Sequence, residues 1–141
     1  MLENNNKTAG KMNTNSDTHI QPWLGSEKGK GMKIPRSFAH PTIHPFEQIE
    51  WELRSAKIAA EGGQTIFEQE NVEVPASWSV LATKVVVSKY FYGDAASGHR
   101  EYSVKQLVHR VCRAIADRGR KDGYFTTEAD TENFYNDLTF L

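Results

Sequence analysis

The sequence predicts a small α+β domain behind a polar N-terminal tail. Two extended runs flank the Gly62-Gly63 pair, three segments of helical periodicity follow them, and residues 1–31 hold almost nothing to bury. At 141 residues the chain suits one domain rather than two.

The tail comes first. Its only apolar groups are Met1, Leu2, Ala9, Met12, Ile20, Trp23 and Leu24. So few cannot offset the entropy of ordering, and residues 1–31 are expected to be disordered. The stretch Gly25 to Gly31 has a superficial likeness to a phosphate-binding loop. It has the wrong glycine spacing, no Ser or Thr after Lys30 and no strand before it, so no phosphate site is expected. An ordered but irregular arm should follow, because Pro35, Pro41 and Pro45 each push the preceding residue towards extended geometry. The same prolines keep His40 and His44 off a helix, so these are read as structural or exposed histidines rather than metal ligands.

The strands are next. Ile49, Trp51 and Leu53 alternate with Glu50, Glu52 and Arg54, the period of a half-buried strand. Thr65 to Pro75 is a second extended run. Glycines between such runs accept the positive φ of a tight turn, so residues 48–60 and 64–74 are expected to form an antiparallel hairpin. Glu68 and Glu70 would share one strand face, as ordinary exposed carboxylates.

Three helices complete the domain. The first should carry Trp78, Leu81, Ala82, Val85 and Lys89 on one face and stop at Gly93, despite the β-branched run Val85-Val86-Val87. The second opens with Ser103 and Gln106 spaced as a capping box. Leu107, Val108, Val111, Cys112, Ile115 and Ala116 then draw one apolar stripe, and Gly119 is expected to end it. Cationic Arg118, Arg120 and Lys121 sit where the helix dipole is negative. The third helix should begin near Thr126 or Thr127, with Phe134, Leu138 and Leu141 as its apolar face. That stripe runs to the last residue, as if the helix were cut or finished against other protein.

Composition excludes several classes of function. A formal net charge of −1 argues against bulk capture of nucleic acid or anionic membrane. Charge is segregated, however. Seven basic residues lie in 100–121 against Glu101 and Asp117, while 122–141 holds five acids and no Lys or Arg. Two solvated helix faces that pair with each other or with a neighbour account for this pattern. The lone Cys112 rules out an internal disulfide, reads as a buried core group and fits a cytoplasmic chain. No apolar run reaches a membrane span, and the start lacks the apolar core of a signal peptide. No catalytic, cofactor-binding or metal-ligating residue is expected: the five histidines lie in unrelated contexts, and Ser79, Ser88 and Ser103 lack a partner base.

One stretch goes further. Val72 to Gly93, with Pro75, Trp78-Ser79 and Ser88-Lys89-Tyr90-Phe91 before Gly93, resembles the N-terminal segment of class II, adenosylcobalamin-dependent ribonucleotide reductases. His44-Pro45-Phe46, Trp51-Glu52, Ile66 to Gln69, Ser103 to Leu107, Gly123-Tyr124-Phe125 and Ala129 to Leu141 extend the likeness over residues 32–141. The resemblance implies the N-terminal structural domain of a cobalamin-dependent ribonucleoside-diphosphate reductase, with triphosphate substrates an open alternative. It implies a three-helix cap that precedes a ten-stranded α/β barrel. In such an enzyme a thiyl radical reduces ribonucleotides to deoxyribonucleotides, with adenosylcobalamin as cofactor. The catalytic cysteines belong to the barrel, and Cys112 matches none of them. This fragment alone is therefore expected to bind no cofactor and to be inactive, and to meet the remainder of the reductase through Phe134, Leu138 and Leu141. Two other readings stand beside it: a module that contacts nucleic acid through the basic helix 103–118, and a structural protein that oligomerises through its last helix.

Overall fold

In a computed structural model, which describes residues 31–94 and 96–141, a two-stranded antiparallel hairpin and three helices enclose two small apolar clusters. The expected tail through residue 30, with its glycine-rich stretch, lies outside the described residues. The elements are β1 (Trp51–Ala59), β2 (Thr65–Pro75), α1 (Val80–Lys89), α2 (Val104–Lys121) and α3 (Glu128–Phe140). The α+β reading therefore holds, with the hairpin close to its expected bounds.

The arm is irregular apart from a 3₁₀ turn at Pro45–Glu47. It starts as a bridge: Met32 N–H donates to the Tyr124 carbonyl at 2.7 Å, and Thr126 N–H donates to the Met32 carbonyl at 3.0 Å. Further along it runs against α3.

The strands pair with Trp51 opposite Pro75 and Ile58 opposite Phe67, and the register shifts between Arg54 and Ala56. Asn71 lies in that irregularity with φ 54°, a conformation Asn tolerates better than most residues. The apolar set expected on the inward face is split: Trp51 packs against the first cluster, whereas Ile49 and Leu53 are exposed. Leu53 is 66% exposed, while Ala56 is buried and the Arg54 guanidinium lies over the link into α1. Arg54 donates to the carbonyls of Ala76 (2.9 Å) and Trp78 (2.6 Å) and to Thr83 Oγ1 (3.0 Å). Those carbonyls have no strand partner, so tertiary hydrogen bonding outweighs the alternation in choosing the inward face.

Helix α1 also turns the other way. Ser79 caps it, accepting from Ala82 N–H at 3.1 Å. Thr83 and Val87 point into the first cluster with Val72, Val74, Phe91 and Val104, leaving Leu81 70% exposed and Val85 outward. The apolar residues of α1 are spread round the helix with Lys84, Ser88 and Lys89 among them, so its sequence does not mark an inward side.

Helix α2 has the expected capping box of Ser103 and Gln106. It runs two residues beyond Gly119, which is buried beneath the Phe125 ring inside the helix. The stop is Gly123 at φ 76°. Its N–H bonds the Arg120 carbonyl at 3.1 Å, and Tyr124 N–H bonds the Gly119 carbonyl at 2.9 Å, the paired bonds of a Schellman end.

Helix α3 starts at Thr127 with its own capping box to Asp130. Its buried residues are mostly polar (Asp130, Thr131, Tyr135, Asn136, Asp137, Thr139). Phe134 and Leu138 are half-buried against Cys112, Ala116 and Tyr135, whereas Leu141 is 79% exposed.

Candidate functional site

An apolar groove of about 580 Å³ opens where the arm, the hairpin base, α2 and the last turn of α3 meet. One wall is built from the sequence upward by aromatic packing. Trp51 Nε1–H donates to the Phe46 carbonyl at 2.7 Å, and the two rings meet edge to face at 5.9 Å. Lys105 Nζ stands 4.5 Å from the Trp51 ring centroid and 2.7 Å from Glu73 Oε1. Ser103 Oγ donates to the other Glu73 oxygen. Burial opposes ionisation of Glu73, but Lys105 and Ser103 together hold its carboxyl below the usual range. The α2 cap, the β2 carboxylate and the β1 indole thus form one knot. The opposite wall is Leu107, Val111, Leu138 and Leu141, and Ile49, Val111, Phe140 and Leu141 lie open to solvent. A second groove of about 430 Å³ opens on the far side of α2, between Met32, Ile115, Phe125 and Phe134.

Carboxylates of α3 hold the arm that completes these walls. Asp137 accepts backbone N–H bonds from Ser37 (2.7 Å), Phe38 (3.1 Å) and Ala39 (2.9 Å). Burial pushes its carboxyl up, yet the three donors outweigh it and the net direction is down. Asp130 accepts from Thr127 and, at 2.8 Å, from Ile34 N–H, and is likewise held low. Thr127 and Asp130 show the spacing of a capping box in the sequence, although the sequence reading did not use it. Nothing local marks Asp137, whose partners lie about a hundred residues away.

The residues singled out in the sequence are scattered, not convergent. Cys112 is buried on the groove floor, and burial pushes its thiol up, away from a nucleophile's range. His40 Nδ1 accepts from Thr42 and Ile43 N–H, and His44 caps the 3₁₀ turn. His109 Nδ1 lies 2.8 Å from Tyr135 Oη. Glu68 pairs with Lys57 at 3.3 Å. No cluster of three His, Cys, Asp or Glu side chains suited to a metal occurs among the described residues, and none of the described helices is long and apolar enough to cross a membrane.

The basic stretch of α2 is largely paired. Arg110 meets Glu101 at 2.8 Å, Arg113 grips Glu132 at 2.6 and 3.1 Å, Arg118 meets Asp122 at 2.6 Å, and Arg120 reaches Asp117 and Glu128 at 3.7 Å each. Arg100 spends its donors on Gln69 and on the carbonyls of Gly93 and Val87. The charge asymmetry of the sequence is thus spent largely inside the domain, with Arg113 and Arg120 binding α2 to α3. Exposed apolar side chains lie beside these paired charges, Val111 and Ile115 of α2 among them.

Comparison with known proteins agrees with this geometry. The model of a family described as class II vitamin B12-dependent ribonucleotide reductase matches residues 52–96 and 92–141. The vitamin B12-dependent ribonucleotide reductase of Rhodopirellula baltica is 60% identical over 98 residues, covering 69% of this chain and 9% of that protein. The Streptomyces coelicolor protein of the same name is 37% identical over 117 residues, 82% of this chain and 12% of its own length. The Streptomyces avermitilis protein is 37% identical over 130 residues, with shares of 89% and 14%. The chain spans about a tenth of the length of these relatives.

Proposed function

The chain belongs to the class II, vitamin B12-dependent ribonucleotide reductases, and from that premise we propose that residues 32–141 serve such an enzyme as a non-catalytic N-terminal docking domain. The parent enzyme reduces ribonucleotides to deoxyribonucleotides with adenosylcobalamin in the cytoplasm, and its catalytic residues lie in a barrel outside this chain. One observation carries the docking role: the groove of about 580 Å³ is walled by apolar side chains and opens beside Leu141, at the end of α3. An apolar surface of this kind, rimmed by paired charges, marks a protein interface.

The contact residues we assign are Ile49, Val111, Leu138 and Leu141 on this groove, with Phe134 on the second. Phe134 and Leu138 divide their surface between α2 and the grooves they line, and Leu141 is free to meet the partner with its whole side chain. The groove linings do not fit a corrin cofactor. They carry few polar groups, and the only titratable side chains along the two grooves are Cys112, Arg118 and Tyr124. No catalytic, cofactor-binding or metal-binding residue is assigned to this chain.

A domain exchange tests the reading. Residues 32–141 would replace the matching segment of the relative that is 60% identical, and deoxyribonucleotide formation would be assayed with adenosylcobalamin. Activity within about threefold of the parent, and its loss with Val111→Asp, is expected. A folded chimera that is inactive with the unmodified segment would overturn the docking role. Saturable adenosylcobalamin binding by the 141-residue chain alone would overturn the non-catalytic assignment.

A further inference from the structure

Helix α1 presents a second face that the hairpin leaves uncovered. Val80, Leu81 and Val85 are exposed along it, and Leu81 and Val85, with Ile58 and Ala59 of β1, line a shallow trough of about 360 Å³ that shares no residue with the groove at Leu141. Lys84 and Lys89 stand on its rim. Lys57, also on the rim, already pairs with Glu68, but among the described residues neither Lys84 nor Lys89 has a carboxylate within ion-pair distance. This differs from α2, where most cations are matched. Apolar side chains are spread round α1; Val87 is buried in the first cluster, while Leu81 and Val85 are left open to solvent.

We propose that this trough is a second docking surface, and that its occupant is an acidic amphipathic helix of the reductase assembly lying outside this chain. The inference rests on the family reading above, which leaves about nine-tenths of the relatives' length to supply the partner. Charge complementarity chooses the occupant: apolar side chains seat on Leu81 and Val85, and carboxylates meet Lys84 and Lys89. A protein partner fits better than an anionic bilayer. The surface is a trough rather than a convex stripe, and two free lysines fall short of the four to eight basic residues that lipid capture requires.

The test uses the 141-residue chain, isotope-labelled, and three probes: a synthetic amphipathic helical peptide with glutamates on its polar face, its lysine counterpart, and phosphatidylserine vesicles. The glutamate peptide is expected to shift amide resonances of residues 57–59 and 80–89 and to weaken as salt rises. The double variant Lys84→Glu, Lys89→Glu should bind it at least about tenfold more weakly and gain affinity for the lysine peptide. Equal binding of both peptides, shifts confined to the other groove, or response to vesicles alone would each overturn the proposal. None of these results bears on the domain exchange, so the two readings fail separately.

Discussion

Asp137 does more for this domain than its place on a solvent-rich helix suggests. One carboxylate satisfies three consecutive N–H groups of an arm that has no regular secondary structure to satisfy them itself. Asp137→Ala removes the partner of all three and leaves the buried Ala39 N–H unpaired, and a loss of about 1–3 kcal/mol in urea unfolding is expected. The acidity of the domain follows the same logic. Asp137, Asp130, Glu73, Glu101 and Glu132 are all held below their ordinary values. Each ionises more readily in the folded chain than in the unfolded one, so near pH 4 the unfolded state binds more protons. Their stabilisation is therefore complete above about pH 5 and drains away as pH falls through about 4 and below. Unfolding free energies measured from pH 2 to 7 should show that plateau and decline, with a shallower decline in Asp137→Asn. Gly93 makes a different demand. Its φ is 97°, and an added Cβ would lie 1.9 Å from the His99 carbonyl oxygen. Gly93→Ala should cost about 2–3 kcal/mol through strain and backbone displacement, measured the same way.

At the level of elements, what the sequence announced depended on whether the signal was local. The α2 capping box, the Gly62-Gly63 turn and the start of α3 at Thr127 are written in adjacent residues, and the structure has all three. Ser103 does more than cap, since its hydroxyl also reaches Glu73. Ser103→Ala should therefore cost about 2 kcal/mol, at the upper end for a lost N-cap, in thermal or urea unfolding. Faces were harder to read than boundaries. Alternation in β1 pointed Leu53 inward, but Arg54 has three partners waiting on that side. Periodicity in α1 pointed Leu81 inward, but apolar residues are spread round the helix and give little contrast from which to choose. Gly119 looked like a stop and is a packing site, because Phe125 requires the space a side chain would fill. In each case a contact distant in sequence decided among options that local patterning left nearly equal.

For the whole molecule, the packing explains why so little chemistry was legible: Asp137 and Asp130 hold the arm, Glu73 and Lys105 the cap, and Arg113 and Glu132 the α2–α3 pair. Helix α1 ends at Lys89 with Tyr90 as its cap, short of the Gly93 stop that the sequence suggested, and Gly93 instead makes the turn of the connection that follows. The docking residues were only partly legible, since Phe134 and Leu138 divide their surface between core and groove. The central claim is that the groove beside Leu141 holds the rest of the reductase. The most direct measurement is the affinity of this chain for the reductase of a close relative lacking the matching segment, by titration calorimetry, for the native chain and for Val111→Asp and Leu141→Asp. Both substituted positions are exposed, so folding should survive. Micromolar or tighter association for the native chain, weakened at least about tenfold by either substitution, is the expected result. Association that both aspartates leave unchanged, in variants with native circular dichroism, would contradict it.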